Sequence, residues 1–354
     1  MTAQSSPAKS PRSRTEGQHK AAERAFEDNN LAMQLFGSHH AHLARIEQSL
    51  DVTIHARGNE LTIEGGIDGV DTACQVLDGL YERLQGGLAV DQADVDGVLR
   101  MALAPSGNVG DVDVKIQIRN RQIGPRSSVQ AVYVRAIDDA ELVFAEGPAG
   151  TGKTYLAVAK AVERLVRGDV DRIILSRPAV EAGEQLGFLP GDMREKVDPY
   201  LRPLYDALYD MLPAEQVVKR LENGEIEVAP LAFMRGRTLA NAFVILDEAQ
   251  NTTAVQMKMF LTRLGENARM VITGDLSQVD LPRGVRSGLR DAMRILDGIS
   301  DVRFVRFSDA DVVRHPLVGE IVRAYGETES RRKAGAAYET NGNGGESDTS
   351  ANHE

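Results

Sequence analysis

Short apolar runs alternate with amphipathic stretches between about residues 112 and 325 of this 354-residue chain. Four of the apolar runs have the length and composition of buried β-strands, and they lie at residues 142–145, 172–175, 243–246 and 269–273. The stretches between them carry apolar residues at helical spacing, as expected for helices that cover both faces of a sheet. The pattern therefore predicts an α/β domain built on a parallel sheet.

A smaller α+β module is predicted upstream, over residues 25–104. Its apolar positions change between helical spacing and alternation, with Gly58 at a tight connection between two strands. Asp68 stands where a helix N-cap is expected. The predicted elements are a helix at residues 43–50, strands at 52–55 and 61–63, and helices at 68–84 and 92–103.

Three segments lack periodic apolar positions. Residues 1–24 are rich in Ser, Pro, Lys and Arg and are predicted to be a disordered arm. Residues 327–354 form a Gly-, Asn-, Ser- and Glu-rich tail that is also predicted to be disordered. Residues 105–124 begin with Pro, Ser, Gly and Asn and are predicted to be a linker. The larger domain is accordingly placed at residues 125–326.

Composition narrows the class of protein. No apolar run approaches the roughly 20 residues that a helix needs to cross a bilayer, and the polar N-terminus lacks the apolar core of an export signal. The lone Cys74 excludes an internal disulfide and suits a reducing compartment. We therefore expect a cytoplasmic protein that does not enter the membrane. The net charge of −11 argues against nucleic-acid binding over the whole surface, although a local basic track remains open.

The segment after the predicted strand at residues 142–145 matches the phosphate-binding pattern G-x-x-x-x-G-K-[ST]. A helical pattern follows this segment, which is the context that a genuine P-loop requires. In such a loop, backbone N–H groups turn toward the phosphates and the helix N-terminus adds partial positive charge. Lys153 is expected to reach the β and γ phosphates of ATP, and the Thr154 hydroxyl to coordinate Mg²⁺. The predicted nucleotide-binding residues are Gly147, Pro148, Ala149, Gly150, Thr151, Gly152, Lys153 and Thr154.

Two carboxylates follow the apolar strand at residues 243–246. At the carboxyl end of a parallel strand they would lie beside the P-loop. Asp247 is predicted to hold Mg²⁺, directly or through water, and Glu248 to orient and polarise the attacking water. A second acid at this place favours hydrolysis over transfer to a small acceptor.

Two glutamines are further candidates. Gln278 follows the strand at residues 269–273 and could sense the γ-phosphate, with Asp275 supporting its loop. Gln130 lies upstream of the P-loop strand, and its amide offers the donor and acceptor that suit the edge of adenine. The chain has no Asn-Lys-x-Asp tetrapeptide of the kind that reads guanine, which favours ATP.

Hydrolysis leaves charge on the γ-phosphoryl group that a cation must stabilise. Arg177, Arg235, Arg237 and Arg314 are the candidates, and one of them could act as an arginine finger in cis or in trans. For each one alone, a surface salt bridge is the favoured interpretation, whereas from the group we expect at least one to meet phosphate or nucleic acid.

Together these motifs resemble the bacterial PhoH-like family of P-loop ATPases, which is related to superfamily 1 helicases and has a RecA-like core. The resemblance implies ATP and Mg²⁺ as ligands and an activity linked to RNA. It also implies partnership with a single-strand endoribonuclease of ribosomal RNA maturation. Lys153, Thr154, Asp247, Glu248 and Gln278 match the motifs and take the roles given above. Arg177 and Arg314 lie in matching blocks and are the candidate catalytic arginines. The matching segments are residues 147–156, 176–184, 186–192, 198–203, 244–251, 273–281 and 311–318.

In this family resemblance, residues 25–104 are similar in outline to a KH-type RNA-binding fold. However, His40 stands where the second glycine of the GXXG clamp is expected. Acidic residues outnumber basic ones in this segment by roughly three to one, which disfavours phosphate contacts, so RNA docking and protein docking both remain open. The leading hypothesis is an ATPase stimulated by RNA, and a homo-oligomeric ring would supply the second wall of the nucleotide cleft. The alternatives are an ATP-gated adaptor that switches residues 177–192 and, more weakly, a small-molecule kinase.

Overall fold

The computed structural model describes residues 19–103, 114–119, 121–178 and 193–313. The first of these ranges is a three-stranded antiparallel sheet covered by helices, and we call it the N-terminal module. No helix within the described residues is both long and apolar enough to cross a membrane. The module consists of β1 (His19–Ala25), α1 (Asn29–Phe36), α2 (Ala41–Leu50), β2 (Val52–Arg57), β3 (Glu60–Gly66), α3 (Ile67–Gln85) and α4 (Gln92–Leu103).

The module agrees with the predicted α+β unit and differs in detail. The strands β2 and β3 pair antiparallel around Gly58, whose φ of 67° is the left-handed conformation that a tight turn demands. Helix α3 begins directly after β3, with Gly66 as its N-cap, so the predicted cap Asp68 is wrong by two residues. Asp68 lies in the first turn instead, where a carboxylate is favoured by the helix dipole.

The remaining residues form the P-loop domain, whose six-stranded sheet has the order β11-β6-β10-β9-β7-β8, with every neighbouring pair parallel. Each of the four predicted strands lies within an observed one. The elements are β4 (Ile116–Ile118), β5 (Arg121–Ile123), α5 (Ser128–Asp139), β6 (Leu142–Glu146), α6 (Lys153–Arg167), β7 (Arg172–Arg177), α7 (Met193–Met211), α8 (Ala214–Glu222), β8 (Ile226–Pro230), β9 (Ala242–Leu246), α9 (Ala254–Leu261), β10 (Arg269–Gly274), α10 (Gly288–Ile295) and β11 (Val302–Arg306).

The sheet is buried on both faces because its strands alternate between two apolar layers. In β6, Val143 and Ala145 join the layer that contains α6, while Leu142 and Phe144 join the opposite layer, which contains α9 and α10. In β9, Phe243 belongs to the first layer and is fully buried. A continuous apolar strand is the expected sequence for such a position, since neither face meets water.

Two predicted boundaries are corrected. The last residues of the supposed disordered arm, 1–24, are part of β1, which pairs with β3 along its whole length. This edge strand is held by main-chain hydrogen bonds, so its sequence lacks the apolar alternation that would have revealed it. The supposed linker, 105–124, contains the β4–β5 hairpin, and Ile116 is buried in the core of the P-loop domain. The predicted tail, 327–354, lies outside the described residues.

Replacing Phe243 by Ala should lower the free energy of unfolding by about 3–5 kcal/mol, because it removes a fully buried ring and leaves a cavity between the sheet and α6. The matched control is Phe233→Ala, in a side chain that is 52% exposed, for which we expect a change within about 0.5 kcal/mol. Urea unfolding of both variants measures the difference. Equal losses in the two variants would contradict the assignment of the core.

Candidate functional site

Four strands of the parallel sheet, β6, β7, β9 and β10, end along one side of it, which we call the carboxyl edge. Polar side chains stand at or just beyond the end of each strand, as is usual for ligand sites in such sheets. Those that follow β6, β9 and β10 line a cavity of about 240 Å³, and they include Lys153, Thr154, Asp247, Glu248 and Gln278. The predicted catalytic and metal-binding residues, apart from Arg177 and Arg314, therefore lie around one cavity.

The loop between β6 and α6 has the backbone conformation of a phosphate cradle. Gly150 and Gly152 have φ values of 84° and 82°, which place them in the left-handed region. Gly147 has φ of 146°, and a Cβ added there would stand 2.5 Å from the carbonyl oxygen of Phe307. Any larger residue at position 147 would collide with the backbone that follows β11, so glycine is required by packing as well as by conformation.

The ammonium of Lys153 lies inside this loop. It donates hydrogen bonds of 2.7 Å to the carbonyl oxygens of both Gly147 and Pro148, and a longer one of 3.3 Å to Thr151 Oγ1. Burial lowers the pKa of Lys153 from its usual value, while the carboxylates of Asp275 and Asp247 act in the opposite direction. A buried cation at the N-terminus of a helix is a ready counter-charge for phosphate oxygens.

The Asp247 carboxylate is the point where three strands are joined. Its Oδ1 accepts hydrogen bonds of 2.7 Å from the hydroxyl of Thr154 and 2.7 Å from the hydroxyl of Thr273. Its backbone N–H donates to the carbonyl oxygen of Ser176 at the end of β7. These contacts leave Oδ2 with acceptor capacity next to the Thr154 hydroxyl, and this pair of oxygen ligands suits Mg²⁺ bound together with phosphate.

Glu248 is held in a strained backbone conformation, with φ of 52°. Its Oε2 accepts a 2.5 Å hydrogen bond from the amide of Gln250, and its Oε1 lies 3.6 Å from the guanidinium of Arg177. Arg177 also lies 4.0 Å from Asp247 Oδ2. The carboxylate is therefore directed into the cavity by partners on both sides. Arg177 lies near both acids, and its candidacy as an arginine finger stays a prediction.

Gln278 lines the same cavity, and its position is set by the loop after β10. Its amide donates a 2.7 Å hydrogen bond to Asp275 Oδ2, and Asp275 Oδ1 accepts from the backbone N–H and the hydroxyl of Ser277. The supporting role predicted for Asp275 is thus present in the geometry. The contact predicted between Gln278 and the γ-phosphate stays a prediction.

Gln130 lies on the other side of the P-loop. Its Oε1 accepts a 2.6 Å hydrogen bond from the backbone N–H of Arg126, and its Nε2 donates a 2.9 Å hydrogen bond to the carbonyl oxygen of Thr151. The amide consequently holds the P-loop, a role that the sequence did not indicate. The predicted adenine contact would use the remaining donor and acceptor positions of the amide, and it stays a prediction.

The other candidate arginines separate from the site. Arg237 forms a bidentate ion pair with Glu227, with both N–O distances at 2.7 Å, and this pairing raises its pKa. It therefore takes the salt-bridge role that was the alternative interpretation. Arg235 is exposed and is absent from the lining of the cavity. Arg314 lies outside the described residues.

Sequence reasoning missed two residues of the site. Gln250 is 1% exposed, and it donates to the carbonyl oxygen of Gln278 and accepts from the N–H of Asp275 as well as binding Glu248. Thr273, which holds Asp247, is fully buried at the end of β10. A polar residue inside an otherwise apolar strand end was the available indication at Thr273. Nothing in the local pattern distinguished Gln250 from the other polar residues around it.

Comparison with known proteins finds a family described as PhoH-like protein, whose profile matches residues 122–326. The PhoH-like protein of Bacillus subtilis (strain 168) is 49% identical over 298 residues, covering 83% of this chain and 93% of that protein. The PhoH-like protein of Mycobacterium tuberculosis (strain H37Rv) is 51% identical over 304 residues, covering 85% of this chain and 86% of that protein.

Solved structures are matched at much lower similarity. The SWI2/SNF2 ATPase core of Sulfolobus solfataricus, solved in complex with double-stranded DNA, is 14% identical with a TM-score of 0.32. The match covers 51% of this chain and 44% of that one. The DUF1998 helicase MrfA bound to DNA gives 11% identity and a TM-score of 0.31, and the match spans 28% of that chain. At these scores neither structure bears on the function of this chain.

The strain at Glu248 predicts a stability difference between two variants that both lack the carboxylate. Glu248→Gly should be more stable than Glu248→Ala by about 1 kcal/mol, because only glycine adopts a φ of 52° without cost. The control pair is Glu266→Gly and Glu266→Ala, at an exposed residue that does not have positive φ. There the order should reverse, because glycine loses more chain entropy on folding. Chemical denaturation checks both pairs, and the same order in both would contradict strain at Glu248.

Proposed function

Because this chain belongs to the PhoH-like protein family, with a family match over residues 122–326 and about half of its residues identical to those of relatives over most of its length, we propose that it is an Mg²⁺-dependent ATPase whose hydrolysis is coupled to RNA. The fold supports the first part of this proposal, since a P-loop lies at the carboxyl edge of a parallel sheet. The observation that carries it is the hydrogen bond between Thr154 and Asp247, which joins the two halves of a nucleotide–metal site.

The residues at the carboxyl edge fit ATP together with Mg²⁺. Gly147, Gly150 and Gly152 all have positive φ, a backbone conformation in which the N–H groups of the loop can turn toward phosphate oxygens. Thr154 and Asp247 provide the oxygen ligands that Mg²⁺ prefers. When bound, Mg²⁺ would supply the positive charge that neutralises the charge developing on the phosphates during hydrolysis.

Three side chains of the site have different roles in the proposed hydrolysis. Lys153 exchanges its carbonyl partners for the β and γ phosphates, because its three donors are free to rotate. Glu248 accepts a hydrogen bond from the attacking water and orients it, with Gln250 and Arg177 fixing the carboxylate. Gln278 senses the γ-phosphate from the loop after β10, in contact with Gln250 through its carbonyl oxygen.

Coupling to RNA is supported by the family and by the outline of the N-terminal module. Helices α1 and α2 are joined by a tight turn in which Gly37, His39 and His40 all have positive φ. The turn thus keeps a glycine-like backbone at the place of a GXXG clamp, even though His40 replaces its second glycine. An exposed left-handed turn of this kind presents backbone groups to a strand of nucleic acid.

A homo-oligomeric ring is the arrangement that we propose for the active protein. The described residues contain one parallel sheet and one P-loop, whereas helicases that act as monomers close a cleft between two such cores. The second wall of the cleft, and the arginine that reaches the γ-phosphate, would come from a neighbouring copy. Arg177, which lies 3.6 Å from Glu248 and 4.0 Å from Asp247 in its own copy, stays a candidate for this role together with Arg314.

A second candidate function is an ATP-gated adaptor that docks a nuclease, such as an endoribonuclease of ribosomal RNA maturation, or a ribosomal precursor. The acidic surplus of the N-terminal module favours it, since its residues 19–103 contain 14 acidic and 6 basic residues and the excess negative charge would repel RNA phosphates. The segment proposed to switch with nucleotide, residues 177–192, begins at Arg177 and otherwise lies almost wholly outside the described residues.

Two substitutions test the nucleotide site. Lys153→Ala should abolish binding of Mg²⁺-ATP, measured by calorimetry, because the phosphate counter-charge is lost. Glu248→Gln should retain binding but lower the hydrolysis rate by about 10²–10⁴-fold, the usual contribution of a positioned base. Glu266→Gln, at an exposed residue, is the matched control and should leave the rate unchanged. ATP affinity that survives Lys153→Ala would rule out the P-loop as the nucleotide site.

The steady-state ATPase rate with and without single-stranded RNA tests the coupling. We expect RNA to stimulate the wild type and to leave Glu248→Gln inactive, because RNA acts through the same hydrolytic step. Slow turnover that ignores RNA, combined with nuclease binding that depends on nucleotide, would favour the adaptor instead.

A further inference from the structure

A second cavity, of about 570 Å³, lies between the N-terminal module and the P-loop domain, and we call it the interdomain cavity. Arg83, Asp91 and Asp94 line it from the module, while Arg126 and Gln130 line it from the P-loop domain. It adjoins the phosphate cavity, because Gly150, Gly152 and Tyr155 line both. A ligand with its phosphates on the P-loop could therefore extend into the interdomain cavity without leaving the protein.

The phosphate cavity and the interdomain cavity differ in volume. Small-molecule sites usually have volumes of about 300–1,000 Å³. The phosphate cavity, at about 240 Å³, is below this range, whereas the interdomain cavity, at about 570 Å³, is within it. The phosphate cavity alone is thus too small for a whole nucleotide, and the remaining part of one needs adjoining space.

The charged side chains that line the interdomain cavity are paired with opposite charges, which favours a neutral ligand group there. Each of the three arginines that line it has a carboxylate partner: Arg83 pairs with Asp94, Arg126 with Asp91 and Asp94, and Arg121 with Asp210. A polyanion such as RNA would have to displace these partners. A base and a ribose would instead find paired polar groups, together with stacking surfaces at the partly exposed guanidinium planes of Arg121 and Arg126.

A continuous chain of contacts connects the module to the P-loop. Asp94 Oδ1 accepts from Arg83 at 3.3 Å and from Arg126 Nε at 3.0 Å. The backbone N–H of Arg126 donates to Gln130, whose amide donates in turn to the carbonyl oxygen of Thr151. Asp94 and Gln130 are both buried, so these bonds are protected from competing water.

The two domains also approach too closely for a side chain to fit between them. A Cβ added to Gly97 of α4 would stand 2.9 Å from the carbonyl oxygen of Arg126. The guanidinium of Arg83 donates to the carbonyl oxygen of Pro125 at 3.0 Å, next to Arg126. The module is consequently seated on the segment that carries Arg126 and Gln130.

We propose that the interdomain cavity holds the base and ribose of the nucleotide, so that Arg83, Asp91 and Asp94 of the N-terminal module are part of the ATP site. This inference rests on the proposed ATP binding at the P-loop and adds a second domain to it. Nucleotide binding and docking of the module then stabilise one another, because linkage between two equilibria is reciprocal. The module would register whether the nucleotide is present, which connects the ATP site to the domain proposed to bind RNA.

The test compares Mg²⁺-ATP with Mg²⁺-tripolyphosphate, which has the phosphates but neither base nor ribose. Calorimetric titration of the full chain should show that Asp94→Asn weakens ATP binding by about tenfold and leaves tripolyphosphate binding unchanged. The substitution weakens the ion pairs of Asp94 with Arg83 and Arg126, which line the cavity proposed for the base and ribose. The control is Asp96→Asn, on the same helix, where the carboxylate pairs with Arg45 inside the module. It should bind both ligands as the wild type does.

Several outcomes would overturn the inference. Equal weakening of both ligands by Asp94→Asn would show that Asp94 acts on the P-loop through Arg126 and Gln130, and weakening of neither would show that Asp94 does not act on the nucleotide; either result would overturn the assignment of the module to the base and ribose site. Lys153→Ala separates this failure from a failure of the proposed function, because it should abolish binding of both ligands if the P-loop is the phosphate site.

A second measurement uses the unmodified protein and so does not depend on the folding of a variant. Hydrogen exchange should show that ATP protects residues 83–97 and 121–126, whereas tripolyphosphate protects the P-loop alone. Equal protection of these segments by the two ligands, or none by ATP, would overturn the inference.

Discussion

The site is organised by the Asp247 carboxylate, which accepts hydrogen bonds from Thr154 at the start of α6 and from Thr273 at the end of β10. Both bonds are short, and they converge on one oxygen of a side chain that is 8% exposed. They are possible only because β6, β9 and β10 are adjacent and parallel, so that all three strands deliver their carboxyl ends to one edge. Register is therefore a functional property of this sheet, since a slip of one residue would turn Thr273 to the opposite face.

Around this centre, residues of the neighbouring loops hold one another. Gln250 binds Glu248, the loop of Asp275 and the backbone of Gln278, so the acidic strand end and the loop after β10 move together. On the opposite side of the P-loop, Gln130 transmits the position of Arg126 to Thr151. The P-loop is thus in contact with Asp247 on one side and, through Gln130 and Arg126, with the N-terminal module on the other.

The local sequence pattern predicted those elements in which burial or phosphate binding restricts each position to a few residue types. The apolar runs of β6, β7, β9 and β10 face buried layers on both sides, and the glycines, Lys153 and Thr154 of the P-loop meet requirements that few other residues can meet. The strand β1 and the β4–β5 hairpin were missed because main-chain pairing holds one and distant packing holds the other. Arg237 and Arg177 were indistinguishable in sequence, yet one pairs with Glu227 and the other with the two acids of the site.

By itself, the sequence determined the fold class, the P-loop and the acidic strand end, because these depend on the spacing of residues along a short segment. Only the tertiary structure decided which distant side chains complete the site. Thr273 reaches Asp247 from 26 residues away, and Asp94 reaches Arg126 from 32 residues away. Such pairs depend on the order of strands in the sheet and on the seating of one domain against another, and neither leaves a periodic trace in the chain.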